Sequence, residues 1–238
     1  MEGRRVSSST RGGALAALLL LVSAASTQGF ASAGSLRGSI RWVGGEPPAE
    51  RWVENTTDPD ACGVLHTTGE VRIGEHGGIA NVIVRLADAP ATRSTPTSVL
   101  LLDNRDCEFH PTAAVLTVGS TVVARNRDAT IHTVHFYGPE ERNLALPLID
   151  VEIPVRLDQP GLYAVKCDVH GWMEAFLRVD PHPWHAVTDA HGRYEIGSVP
   201  PGSYTVEAWR PRLGAREGVV EIDSRGTAEL DLAFSADP

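Results

Sequence analysis

The segment at residues 166–173 most constrains how this chain can fold. It reads Lys-Cys-Asp-Val-His-Gly-Trp-Met and carries a thiol, an imidazole and a thioether at C-x2-H-x2-M spacing. The residues before it, 161–166, and after it, 175–179, alternate between apolar and polar positions, which is typical of β-strands. The three soft ligand atoms are therefore predicted to lie on a tight loop between two strands, and the rest of the chain is expected to be the scaffold around it.

A second imidazole, His132, lies upstream in another strand-like run. One Cys thiolate, two His nitrogens and a weak axial Met form the ligand set of a type 1 (blue) copper site, which transfers electrons. In that set Cys167 supplies the thiolate, and His132 and His170 complete a trigonal plane. Met173 is the long axial ligand. Zinc on the thiolate and the two imidazoles is the alternative, but it leaves the Met without a role.

The position of His170 in the loop predicts how electrons leave the site. It stands between the thiol and the thioether, so its outer edge is expected to face solvent. Gly171 and Trp172 beside it would then form an apolar docking surface. Other histidines are expected to lack a metal role. His135 is three residues after His132 in the same strand, so its side chain should point to the opposite face. The pair at 182 and 185 has no apparent third ligand. Four more are expected to be solvated in loops, namely His66, His76, His110 and His191.

The chain has three cysteines, so at least one of them cannot take part in a disulfide within the chain. Cys167 has the metal-site spacing, so Cys62 and Cys107 remain to form a disulfide, which an oxidising compartment favours. The alternative is that both are reduced, small buried residues.

The N-terminus, residues 1–33, predicts a cleaved signal peptide. Three arginines precede an apolar run with four consecutive leucines, and an A-x-A site ends the segment. The run is too short to span a bilayer, which takes about 20 residues. An uncleaved membrane anchor is the alternative. Because the segment holds three Arg and one Glu, its removal changes the net charge from −9 to −11. That charge disfavours nucleic acid as a partner and favours a basic protein surface.

Frequent turn residues and short alternating runs predict an all-β chain without long helices. A proline-bearing stretch, 46–59, is expected to be an irregular connection. The run at 151–157 contains Pro154 and is expected to be an edge strand. Four segments are predicted: the signal peptide, an N-terminal β segment at 34–96, a copper domain at 97–180 and a smaller all-β unit at 181–238.

The metal constellation resembles the cupredoxins, most closely those of the amicyanin type. The resemblance rests on the run around His132, on the short Cys167-to-Met173 loop, and on the strand-like residues 109–122. It covers about residues 97–180 and implies a Greek-key β-sandwich binding one copper ion. Ile131 stands where the family commonly has Pro. Thr133 stands where the family often has an Asn that supports the copper loop.

A further resemblance covers most of the exported chain. Exported proteins described as methylamine-utilisation-like combine a Cys-Gly near the start, a Cys-x-Phe segment, the Lys-Cys-Asp-Val-His loop and a tail such as 187–209 here. The tail pattern resembles a carboxypeptidase regulatory-like domain, which implies a transthyretin-like β-sandwich. With fewer than 60 residues after position 180, the tail is short for a sandwich, which takes about 100. One hypothesis is that residues 38–86 supply its missing strands, with the copper domain inserted.

These patterns predict a periplasmic or secreted one-electron carrier rather than an enzyme. The expected partner is a larger redox protein such as a c-type cytochrome or a quinoprotein dehydrogenase. Copper delivery or storage is the second hypothesis. The third places the function in the tail as a carbohydrate- or protein-binding module, with Trp184 and Trp209 as the available aromatic residues.

Overall fold

A computed structural model describes residues 1–3, 32–69, 71–92 and 96–236. The predicted signal peptide lies almost entirely outside these residues. Residues 31–238 form one compact unit. The predicted all-β class is confirmed, since strands hold 53% of the described residues and helices 3%. No described helix has the length and apolar character needed to cross a membrane.

Nineteen strands, one short α-helix and one 3₁₀ turn make up the described part of the chain. In chain order they are β1 (Gly34–Trp42), β2 (Arg51–Glu54), α1 (Pro59–Cys62), β3 (Leu65–Thr68), the 3₁₀ turn (Glu75–Gly77), β4 (Ile83–Leu86), β5 (Val99–Arg105), β6 (Glu108–His110), β7 (Ala113–Thr117), β8 (Thr121–Asn126), β9 (His132–Tyr137), β10 (Arg142–Leu146), β11 (Glu152–Arg156), β12 (Gly161–Lys166), β13 (Glu174–Asp180), β14 (His185–Val187), β15 (Arg193–Val199), β16 (Gly202–Arg210), β17 (Gly214–Ile222), β18 (Thr227–Glu229) and β19 (Leu232–Phe234).

Strands β5 to β13 form a sandwich that contains the predicted metal loop. One sheet has the order β10-β9-β12-β13-β7 and the other β11-β8-β5-β6. Alternate side chains of both sheets share one core, as Val122 and Ala124 of β8 and Val134 and Phe136 of β9 show. Strand β11, which holds Pro154, pairs with β8 at the end of its sheet, as predicted for an edge strand. We call this unit the metal-loop sandwich.

A second sandwich combines strands from both ends of the described chain. Strand β1 pairs with β15, β18 and β19, while β4 pairs with β14 and β16. Their apolar side chains share a separate core. Gly38 pairs with Tyr194, and a Cβ there would lie 1.8 Å from the Leu230 carbonyl oxygen, so only glycine fits. The N-terminal strands therefore do pair with strands of the tail, as the hypothesis of an inserted copper domain requires. The domain boundaries at 96 and 180 remain predictions.

Residues 51–68 form a small lobe that we call the cap. Strands β2 and β3 make a two-stranded sheet of their own, with α1 between them. The Asn55 side chain holds this turn: its amide donates to the Gly63 carbonyl at 2.7 Å, and its oxygen accepts from two backbone N–H groups. The disulfide between Cys62 and Cys107 ties the cap to the metal-loop sandwich. The prediction of an irregular connection at 46–59 was wrong for β2 and the start of α1.

Candidate metal centre

Strand pairing brings the predicted ligands together. Strands β9 and β12 are antiparallel, with His135 opposite Lys166. Continuing this register places the start of β9 beside the residues that follow β12. His132 is the first residue of β9, and Cys167 directly follows β12. The register thus brings two residues 35 positions apart to the same end of the sheet.

Three predicted ligand atoms converge in a buried pocket. The Cys167 sulfur lies 4.0 Å from His132 Nδ1 and 3.8 Å from His170 Nδ1, and the two Nδ1 atoms are 3.0 Å apart. Atoms that share one ion at bond lengths of about 2.0–2.3 Å lie roughly 3.3–3.6 Å from one another. Both imidazoles are 0% exposed, and Cys167 is 3% exposed. The three measured distances lie on either side of this range, within about 0.5 Å of it, so small shifts of the side chains would let the three atoms share a single transition-metal ion.

Two carboxylates fix the tautomers of the imidazoles. Nε2 of His132 lies 2.9 Å from an oxygen of Asp128, and Nε2 of His170 lies 3.1 Å from one of Asp58. A carboxylate only accepts, so each Nε2 carries the hydrogen and each Nδ1 of a neutral ring presents its lone pair. Burial, followed by the neighbouring His170, lowers the pKa of His132 and favours its neutral form. The lone pairs on the two Nδ1 atoms face and repel each other. A metal cation between them, or a proton on one of them, removes this repulsion.

The surroundings of Cys167 suit a thiolate. The backbone N–H groups of Thr133 and His170 each donate to its sulfur at 3.4 Å. Such donors stabilise negative charge on sulfur and limit its movement. The Thr133 hydroxyl accepts from the Asp168 N–H at 2.7 Å and lies 3.8 Å from the same sulfur. Thr133 thus supports the loop from the adjoining strand.

Met173 closes the loop through its backbone. Its carbonyl accepts from the Cys167 N–H at 3.3 Å, and its N–H donates to the His170 carbonyl at 3.0 Å. The side chain is 2% exposed and belongs to the core of the metal-loop sandwich. Its role as axial ligand remains a prediction.

One other group of metal-binding side chains exists among the described residues, and it overlaps the first. It consists of Cys107, Asp128 and His132. Because Cys107 is in a disulfide, its sulfur is not available as a thiolate. His135 binds Asp168 and Glu141, while His185 binds Asp180. None of these contacts competes with the pocket around Cys167.

The prediction that the outer edge of His170 faces solvent is wrong, because the cap covers it. Nε2 of His170 meets Asp58 and lies 3.8 Å from the Cys62 sulfur. Trp172 is also covered: it is 5% exposed, stacks on His66 with ring centroids 4.0 Å apart, and donates to the Cys107 carbonyl. Of the predicted docking residues only Gly171 is exposed. The prediction of a solvated His66 was wrong for the same reason.

Sequence reasoning missed Asp58 and Asp128. Asp128 stands four residues before His132 in the turn between β8 and β9, so its proximity was a usable local signal. Asp58 is 112 residues from His170 and offers no such signal.

No family model matches the chain, and neither does any curated protein. Solved structures with a partial likeness to it include the following three. A Cu-containing nitrite reductase from Thermus scotoductus SA-01 is 23% identical over 39% of this chain, with a TM-score of 0.31, and this chain spans only 24% of that enzyme. Amicyanin from Paracoccus versutus is 19% identical (TM-score 0.31; 41% of this chain, 91% of that one). A purple cupredoxin from Nitrosopumilus maritimus is 18% identical (TM-score 0.30; 35% and 99%).

Proposed function

We propose that this protein is a one-electron carrier that binds one copper ion through His132, Cys167, His170 and Met173. The observation that supports it most is the pair of Nδ1 atoms facing a buried sulfur, each ring held by a carboxylate at Nε2. Copper in such a soft, mixed ligand set supplies reversible change between Cu(I) and Cu(II).

The chain itself does three things for that chemistry. Antiparallel strands hold His132 and the loop in one register, so ligand positions change little. Two backbone N–H groups donate to the Cys167 sulfur and hold it in place. Burial of both imidazoles keeps bulk water and substrates away from the ligand atoms. These features suit electron transfer without bond making, so we propose that the chain is not an enzyme by itself.

Burial also separates this proposal from copper delivery. A delivery protein must pass its ion to another protein through exchangeable ligands. Here no predicted ligand is more than 3% exposed. A carbohydrate-binding tail is likewise less well supported: Trp184 is buried with its indole N–H on the Ser198 carbonyl, and Trp209 packs edge-on against Phe176. Neither forms an exposed aromatic platform.

Copper titration followed by visible absorption tests the proposal. The parent is expected to develop an intense thiolate-to-Cu(II) band, and Cys167→Ser is expected to lose it. His135→Ala is the matched control, because this neighbouring histidine lies on Asp168 outside the pocket; it should keep the band. A colourless Cu(II)-loaded parent would rule out a type 1 site.

A further inference from the structure

The cap has an inner and an outer face. In its hairpin Val53 pairs with His66, and their side chains share one face. That face is the inner one, since Val53 packs against the core of the metal-loop sandwich and His66 stacks on Trp172. Trp52 and Leu65 are the sequence neighbours of this pair, so they point outward.

The outer face exposes large apolar side chains. Trp52 is 63% exposed, Leu65 54% and the neighbouring Val64 67%. Isolated exposed apolar residues are common, but a group of them on one small lobe marks an interaction surface. The lobe is one hairpin thick over the site: His66 stacks on Trp172, whose ring lies 5.0 Å from that of His170.

Further exposed apolar residues lie at the same end of the metal-loop sandwich. Ile131, next to His132, is 41% exposed, and Leu148 and Ile149 in the loop after β10 are 66% and 56% exposed. Together with the cap residues they form what we call the metal-end patch: Trp52, Val64, Leu65, Ile131, Leu148 and Ile149.

Hydrogen bonds connect the parts of this patch. Thr130 donates through its hydroxyl to Asp58 of the cap at 3.0 Å. Asn126 donates from its side chain to the Thr130 carbonyl at 2.8 Å, and its own carbonyl accepts from the Asp150 N–H at 2.7 Å. The cap, the turn before His132 and the 148–149 loop therefore adjoin one another.

The cap side of the patch is acidic. Residues 46–69 contain five carboxylates and one arginine. Of the carboxylates, Glu54 and Asp60 are exposed on the cap itself. A patch with an apolar centre and acidic residues at its edge is complementary to a partner surface that has an apolar centre and basic residues at its edge. Two caps of this chain would repel each other, which disfavours a second copy as the occupant.

We propose that the metal-end patch is the docking surface for a redox protein whose own docking face is apolar and rimmed by lysines. This inference rests on the proposed function, because it places a redox partner directly above the covered His170. It moves the docking surface from the loop residues Gly171 and Trp172 to the lobe that covers them.

Titration with a lysine-rich c-type cytochrome tests the proposal, with binding to the copper-loaded protein followed by calorimetry at low and high ionic strength. The double variant W52S/L65S is expected to bind about tenfold more weakly at both ionic strengths, because apolar anchors dominate docking energy. E54Q/D60N should weaken binding at low ionic strength only, since salt screens exposed charges. V219S is the matched control, as Val219 is 71% exposed on the second sandwich.

Equal binding by W52S/L65S and the parent overturns the proposal, as does a parent that does not bind the cytochrome. The blue band of the same samples reports separately on the metal centre. A blue protein that does not bind contradicts this docking surface alone, whereas a colourless protein contradicts the proposed function.

Discussion

Two carboxylates orient the rings at the candidate metal centre. Asp128 is itself fixed, because it accepts from the Asp106 and Cys107 N–H groups at 2.9 and 3.0 Å as well as from His132. Asp58 accepts from Thr130, and this hydrogen bond, with that from His170, lowers its pKa. Both carboxylates are therefore placed to accept from an Nε2–H, and both Nδ1 atoms are directed at the Cys167 sulfur.

Asp128→Asn is expected to weaken copper binding by about 10- to 100-fold, the usual effect of losing a partner that orients a ligand. The variant keeps the shape of the side chain but removes the charge that fixes the His132 tautomer. Competition with a chelator measures the change. Asp158→Asn is the control, because Asp158 pairs with Arg156 on the exposed surface. Equal affinities of the two variants would contradict a positioning role for Asp128.

Thr133→Val tests the support of the loop by the adjoining strand. Loss of the hydroxyl leaves the Asp168 N–H without its 2.7 Å acceptor, so the metal-free protein should lose about 1 kcal/mol of unfolding free energy. Chemical denaturation measures this loss. Thr133→Ser retains the hydroxyl and should keep most of the stability. If serine is as destabilising as valine, the hydrogen bond is not the cause.

The residues that could be predicted are those with a local signal. Cys167, His170 and Met173 share one loop, and His132 begins a clear strand pattern. The surroundings of the site are formed at long range. Asp58 approaches His170 only because an intervening disulfide and a separate lobe bring it there.

Among the elements, the cap differs most from the expected fold. Its strands have four residues each and contain arginine, glutamate and threonine, so no alternating pattern distinguishes them from a loop. Its position follows from the Cys62–Cys107 disulfide and from the contacts of Val53 and His66. Local alternation also carries no information on which surface another segment covers, and for that reason the predicted solvent exposure of His170 was wrong.

Removal of the disulfide is expected to destabilise the protein substantially. The bond joins residues 45 positions apart, and the chain-entropy model gives about 4 kcal/mol for a loop of that length. The Cys62→Ser/Cys107→Ser variant should therefore unfold at lower denaturant concentration than the parent. Added reductant should lower the midpoint of the parent and leave that of the variant unchanged. Equal midpoints of parent and variant would show that the cap is held by its noncovalent contacts alone.

At the scale of the whole molecule, a buried charge cluster joins the two sandwiches. Asp180, at the end of β13, is 0% exposed. It accepts from Arg85 of β4 at 2.9 Å, from Arg178 at 3.0 Å and from His185 of β14 at 3.1 Å. Burial alone would raise the pKa of Asp180, but the His185 hydrogen bond and the two arginines outweigh it and lower the pKa to about 2.

This cluster predicts how stability depends on pH. Because the folded pKa of Asp180 lies below its ordinary value of 3.8, its contribution is fully present above about pH 4 and is lost as the pH falls towards 2. Asp180→Asn should cost at least about 2 kcal/mol at pH 7 and should lose less stability on acidification. Urea denaturation at pH 7 and pH 3 measures both effects. Parallel losses in parent and variant would contradict the assignment.

The combination of strands from both chain ends could be proposed from the sequence only indirectly. The tail was too short for a sandwich, which pointed to missing strands. The pairing of β1 with β15 depends on contacts across more than 150 residues, and no local pattern specifies such a partner. The all-β class, by contrast, followed from alternation and turn residues within each segment.

Copper K-edge X-ray absorption on the copper-loaded protein tests the central claim most directly, because it reports the atoms bound to the metal. The account predicts a first shell with one short copper–sulfur bond and two copper–nitrogen bonds, and Cys167→Ser should lose the sulfur contribution. A parent spectrum with nitrogen and oxygen neighbours and no sulfur would contradict a centre built on Cys167.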